Sequence, residues 1–153
     1  MEKQLNTLSE VKKYLRESFN DGCNCPACDQ YVKLYKRKLY STQARALIML
    51  YFLNKKTEWV HVRQIMEKIN ISGDFAKLVY WELIIEKEKG KEDKKTSGLW
   101  KLTQKGKNFI LNKSSVPKYV FIYNSKLQGF SNEQTTIKDA LGDRFSYREL
   151  MTL

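Results

Sequence analysis

Residues 72–109 read SGDFAKLVYWELIIEKEKGKEDKKTSGLWKLTQKGKNF, and the punctuation of this stretch organises the rest of the chain. Ser72 is placed to cap a helix running from about Gly73. Phe75, Leu78, Val79, Glu82 and Leu83 recur at offsets of three and four, the spacing of one helical face. Leu83, Ile84 and Ile85 then open a strand that passes into alternating charge. Loop 90–98 has glycine at both ends and polar residues between, the composition of a solvated hairpin tip. Residues 99–103 make the return strand, and 104–111 a further helix.

Working outward, Ser41 is expected to cap helix 42–53, which is apolar almost all round and therefore buried. In 59–62, strand alternation puts Trp59 and His61 on one side. Residues 63–69 follow as a second helix with Ile65, Met66 and Ile69 inward, and 70–73 are the turn into the next. Trp81, Leu83, Ile84, the loop 90–98, Leu102, Thr103 and Gly106 resemble the winged-helix family, a helix-turn-helix variant with a β-hairpin wing. Its members carry an aromatic and a Leu-Ile pair at the end of the second motif helix. A variable wing follows, then a strand closing on Leu-Thr-x-x-Gly and a helix. The resemblance covers about 41–112 and implies a DNA-binding-like domain. The whole chain also resembles small phage and prophage proteins that place a cysteine-rich knuckle before such a domain, which implies a mobile-element origin.

At 153 residues the chain is long enough to bury roughly 68–70% of its unfolded surface without crosslinks. Its longest apolar run, 46–53, is far short of the roughly 20 residues that cross a bilayer. The start, MEKQLNTLSE, lacks the basic and apolar zones of a signal peptide. A cytoplasmic protein without a membrane partner is expected. Net charge is +11, and it is segregated. Residues 30–57 hold Lys33, Lys36, Arg37, Lys38, Arg45, Lys55 and Lys56 with no acid, and 96–130 hold only lysines among their charged residues. Such sorting favours a polyanion-facing surface, because cations that neutralise phosphates release counterions. The plainer alternative is a lysine-rich solvated face. The candidate nucleic-acid contacts are Lys33, Lys36, Arg37, Lys38, Arg45, Lys77, Lys101, Lys105, Lys107 and Lys118.

The string CNCPACDQY places Cys23, Cys25 and Cys28 together. Cys-Pro-x-Cys is the turn of a zinc knuckle, in which the proline presets the bend and both sulfurs approach one cation. His61, the chain's single histidine, is the candidate fourth ligand of a closed, structural Cys₃His zinc site, with Asp21 or Asp29 as substitutes. Plain reduced thiols and a Cys25–Cys28 redox pair are the alternatives.

Elsewhere, Thr7 with Glu10 fits a capping box for helix 7–18, with Leu8, Val11, Leu15 and Phe19 on one stripe. Residues 31–40 read as an extended segment leading into Lys36-Arg37-Lys38. Residues 113–117 read as a connector. Alternation in 118–124, with a return through 127–130, predicts a β-hairpin whose aromatic stripe packs or stacks unpaired bases. Residues 137–141 are a short helix, and Ser146 with Glu149 caps a last turn. The helix expected at 74–85 offers only Lys77 as a base-reading cation, so either the basic segments outside the motif carry binding, mostly through phosphates, or the winged domain is a protein-binding platform. No catalytic set is present, and the chain is not expected to be an enzyme.

The predicted architecture is α+β: a knuckle extension at 1–40, a winged helix at 41–112, and a hairpin with short helices at 113–153. The expected function is a nucleic-acid-binding regulator of phage or mobile-element type. An interaction module directed at a host protein or nucleoprotein complex is the rival.

Overall fold

Alternating short helices and strands give a mixed α+β chain with several small sheets. The computed structural model describes residues 7–71, 73–88 and 97–152. In chain order it runs α1 (Leu8–Ser18), β1 (Cys23–Asn24), β2 (Tyr31–Val32), β3 (Tyr35–Lys38), α2 (Ser41–Asn54), β4 (Val60–His61) and α3 (Val62–Met66). A 3-10 helix at Ala76–Trp81 is followed by β5 (Ile84–Glu86), β6 (Leu99–Leu102) and α4 (Gln104–Ile110). The chain continues through β7 (Val116–Pro117), β8 (Tyr119–Tyr123), β9 (Lys126–Phe130), β10 (Gln134–Thr135), α5 (Ile137–Leu141) and α6 (Tyr147–Met151). Among the described residues no helix is long and apolar enough to cross a membrane.

Two compact units result. One holds the described residues up to Arg37 with Val120–Phe130, and the other holds Lys38–Tyr119 with the described residues from Ser131 onward. This differs from the linear division 1–40, 41–112 and 113–153. The C-terminal hairpin joins the N-terminal segment because β8 is the middle strand of a sheet ordered β3-β8-β9.

In the first unit Thr7 caps α1, its hydroxyl accepting from the Glu10 N–H at 3.1 Å. Val11 is buried but Leu8 is exposed, so the apolar stripe is shorter than its spacing suggests. Antiparallel pairing of Cys23 with Val32 closes the cysteine loop at its base. The hairpin turns through Asn124 and Ser125, both with left-handed φ, between the paired Tyr123 and Lys126. That two-residue geometry matches the twist of the flanking strands. Val120 and Ile122 are buried while Tyr119, Phe121 and Tyr123 are half-buried, which places the aromatic stripe on a partly packed face.

The second unit is built on α2, with Ala44, Ala46, Leu47 and Leu50 fully buried. Its N-cap is Tyr40 rather than Ser41: the Gln43 amide oxygen accepts from the Tyr40 N–H at 3.2 Å. At the other end the Asn54 amide accepts from the Leu102 N–H and donates to the Thr57 and Glu58 carbonyls, tying helix to sheet. That sheet is antiparallel and ordered β4-β6-β5. Helix α3 is shorter than expected, and Met66 points to solvent while Ile65 and Ile69 are buried. Residues 113–117 are not a bare connector, since Val116 and Pro117 pair with β10.

The largest departure lies in the stretch that organises the chain. Where a full helix was expected from Gly73, the 3-10 helix Ala76–Trp81 forms, and Glu82 ends it with a left-handed φ of 60°. Phe75, Leu78, Trp81 and Leu83 are buried, but Val79 is exposed. Burial of both Trp81 and Leu83 explains the brevity: the chain must turn at once into β5, which a longer helix would prevent. Ser72 and positions 89–96, including most of the expected hairpin tip, lie outside the described residues. Thr103 serves both sides of its junction, accepting from the Gly106 N–H at 3.0 Å and donating to the Glu82 carbonyl at 2.6 Å. Gly106 is required because a Cβ there would run into the Leu83 carbonyl oxygen.

Tyr40 also holds the approach to the 3-10 helix, donating its hydroxyl to the Asp74 carboxylate at 2.7 Å. The Gln43 amide donates to the Asp74 carbonyl at 2.9 Å. Burial, and then the Asp74 carboxylate, push the Tyr40 hydroxyl well above its ordinary value of 10.0. The folded chain therefore keeps this proton more tightly than the unfolded chain. That stabilisation is whole below a pH of about 10 and is lost as pH rises through the raised folded value. Tyr40→Phe is expected to be less stable by about 1 kcal/mol at neutral pH. Its deficit should narrow at strongly alkaline pH, and urea titrations across that range check the sign.

Candidate nucleic-acid interface and cysteine turn

Every residue of β3 is exposed, and the strand carries Lys36, Arg37 and Lys38. Strand alternation puts Lys33, Tyr35 and Arg37 on one side. The Lys33 ammonium lies 5.6 Å and the Arg37 guanidinium 5.8 Å from the centre of the Tyr35 ring. An exposed tyrosine flanked by two cations is a surface that can meet a phosphate on either side of a ring.

The predicted contacts in the second unit have partners. Lys77 pairs with Asp74 at 3.0 Å, Lys101 with Glu58 at 3.0 Å, Lys105 with Glu82 at 3.7 Å and Lys118 with Glu133 at 3.4 Å. Lys101 also sits 4.7 Å from the Trp59 ring centre. Surface pairs of this kind are worth about 0–1 kcal/mol each, so they lower local potential without locking the lysines. Arg45 stacks on Phe145 at 5.0 Å. Lys107 is exposed on α4.

Sequence reading missed a grouping at the C-terminal end of α2. A cleft of about 480 Å³ is lined by Arg45, Lys55, Lys56 and Lys68 over an apolar floor that includes Met49, Phe52 and Leu150. A hollow of about 310 Å³ has Lys55, Lys107 and Lys113 on its wall. Among the described residues no acidic side chain lines either. The signal available in the sequence was the acid-free run through Lys55 and Lys56; Lys68 and Leu150 are brought in only by tertiary packing.

The cysteine turn is built as a thiolate would need it. The Cys25 N–H donates to the Gln30 carbonyl at 2.7 Å and the Asp29 N–H to the Cys25 carbonyl at 2.8 Å, closing a tight loop in which Asp29 has a left-handed φ of 63°. The Cys28 and then the Ala27 N–H groups point at the Cys25 sulfur, and these hold its thiol below the ordinary value, with the Cys28 side chain adding a smaller pull. Cys23 and Cys25 are half-buried and Cys28 is exposed, all as free thiols. His61 is the N-cap of α3, its Nδ1 accepting from the Arg63 N–H at 3.1 Å. Gly98 adopts a left-handed φ where a Cβ would meet His61 Nε2 at 2.8 Å. Among the described residues no group of three or more His, Cys, Asp or Glu side chains is arranged to hold a metal ion.

Comparison of the chain with protein-family models, curated proteins and solved structures was then decisive in one respect. Nothing matches.

Proposed function

We propose that the chain is a nucleic-acid-binding regulator of phage or mobile-element type, acting in the cytoplasm, which contacts phosphates through β3 and its flanks. The observation that carries this reading is that all four residues of β3 are exposed, with Lys36, Arg37 and Lys38 among them, beside the Lys33–Tyr35–Arg37 side. A winged helix is our reading of α2 to α4. In its support, helix, strand, helix, 3-10 helix, strand, strand and helix follow in that family's order, and the sheet β4-β6-β5 has the third strand between the first two. The short 3-10 helix, with Val79 exposed and Lys77 paired to Asp74, does not favour base reading, so backbone contact is the mode. Duplex titration at several salt concentrations tests it: affinity should fall steeply with salt, and flat dependence rejects it.

The reading includes a structural zinc ion held by Cys25 and Cys28, for which Cys23 is a candidate additional ligand. Zinc would fix the two sulfurs and cross-brace the loop. Protein purified without a polyhistidine tag is expected to carry zinc, and Cys25→Ser and Cys28→Ser each to lose it. Zinc at background level in the parent protein rejects the site.

A second reading, a module that covers a host protein or nucleoprotein complex, is favoured by the carboxylate partners of Lys77, Lys101, Lys105 and Lys118. Neither reading makes the chain an enzyme.

A further inference from the structure

The cleft at the end of α2 is used by neither phosphate contact through β3 nor the cysteine turn. We propose that it docks a short acidic peptide segment of a partner protein, with an apolar side chain of that segment seated on the floor. This rests on the interaction reading and stands apart from nucleic-acid binding.

Charge complementarity selects the occupant. Arg45, Lys55, Lys56 and Lys68 converge on one cleft, and among the described residues no acidic side chain lines its wall. At the helix end the Phe52 and Leu53 carbonyls accept from the Lys55, Lys56 and Thr57 N–H groups, so these two are not left open toward an anion. Carboxylates placed at the rim meet ammonium and guanidinium groups.

The floor then distinguishes a peptide from a nucleic acid. Met49, Phe52 and Leu150 line the bottom, and the flexible thioether adapts to side chains of different shape. A phosphodiester backbone has nothing apolar to place there. A base would need an open aromatic face, yet Lys55 already lies 4.8 Å from the Tyr51 ring centre and 5.0 Å from that of Phe52. An acidic segment with one leucine or phenylalanine satisfies both rim and floor. This is the anchor-in-pocket arrangement with a charged margin that peptide grooves use.

The test is fluorescence anisotropy on the full chain with a labelled peptide of alternating Asp, Glu and Leu. The same peptide with every Leu replaced by Ser serves as the comparison. The Leu peptide should bind at least roughly tenfold more tightly than the Ser peptide. Lys55→Glu with Lys56→Glu should weaken it about tenfold or more, and Leu150→Ala should weaken it without changing the salt dependence. The lysines are exposed, so near-ultraviolet circular dichroism should stay that of the parent; Lys68→Glu alone is the second variant should the double one unfold. Equal binding of Leu and Ser peptides overturns the proposal, as does indifference to both charge reversals. Displacement of the peptide by a labelled single-stranded oligodeoxynucleotide that depends on the same lysines overturns the choice of occupant. The triple variant of Lys36, Arg37 and Lys38 separates the two readings: it should lower duplex binding, and loss of peptide binding in it would move the peptide site off the cleft.

Discussion

Replacing Lys36, Arg37 and Lys38 together by alanine is expected to weaken binding to duplex DNA about a hundredfold at low salt. Three charge-assisted phosphate contacts at about 1 kcal/mol each amount to about two decades in affinity. The salt dependence is the sharper readout. Each phosphate neutralised contributes about 0.9 to the slope of log affinity against log salt, so the slope should flatten by about 3. These side chains are exposed on a short strand, and their truncation removes little packing. Alanine at Lys77, Lys101, Lys105 or Lys118 should each cost less, because every one of those ammonium groups must first leave a carboxylate at 3.0 to 3.7 Å. A triple variant with the parent's slope would remove β3 from the interface altogether.

Trp81→Ala is expected to cost about 3–5 kcal/mol, enough to leave little folded protein at physiological temperature. The indole is 1% exposed, and its N–H donates to the Pro117 carbonyl at 2.7 Å. Truncation opens a cavity beneath the 3-10 helix and leaves that carbonyl without its donor. Trp81→Phe separates the two losses, since it keeps most of the volume and gives up only the hydrogen bond, at about 1–3 kcal/mol. At about 2–4 °C of melting temperature per kcal/mol, calorimetry resolves the alanine from the phenylalanine variant. Equal melting temperatures for parent and Trp81→Ala would show that this side chain does not close the core of its unit.

Much of the local structure was legible in the residues. Thr7 and Ser146, expected as caps, each accept an N–H at the start of a helix; Thr103 and Thr136 do the same without having been expected to. The alternation of 118–124 gave the hairpin its faces, and Asn124-Ser125 its turn. Less legible were Ser41, displaced as cap by the reach of Gln43 back to Tyr40, and the helix after Gly73. The spacing of Phe75, Leu78 and Leu83 fits an α-helical face, but the same residues are buried from a 3-10 turn that stops at Glu82. Apolar period alone does not separate these, because over six residues the two helices bury nearly the same positions.

The candidate sites divide along the same line. Net charge and its sorting into acid-free runs are properties of the chain, and they pointed to exposed cations on 36–38 because a run of three adjacent basic residues cannot all be buried. The Cys-Pro-x-Cys turn was likewise visible, since its geometry is set by neighbours in sequence. Which lysines meet a carboxylate depends on partners such as Glu58 for Lys101 and Glu133 for Lys118, and that only folding supplies. The cleft joining Arg45, Lys55, Lys56, Lys68 and Leu150 is of the same kind. Local order follows from forces that act within a few residues; a binding surface is assembled from residues that chain connectivity leaves apart, so tertiary packing alone decides it.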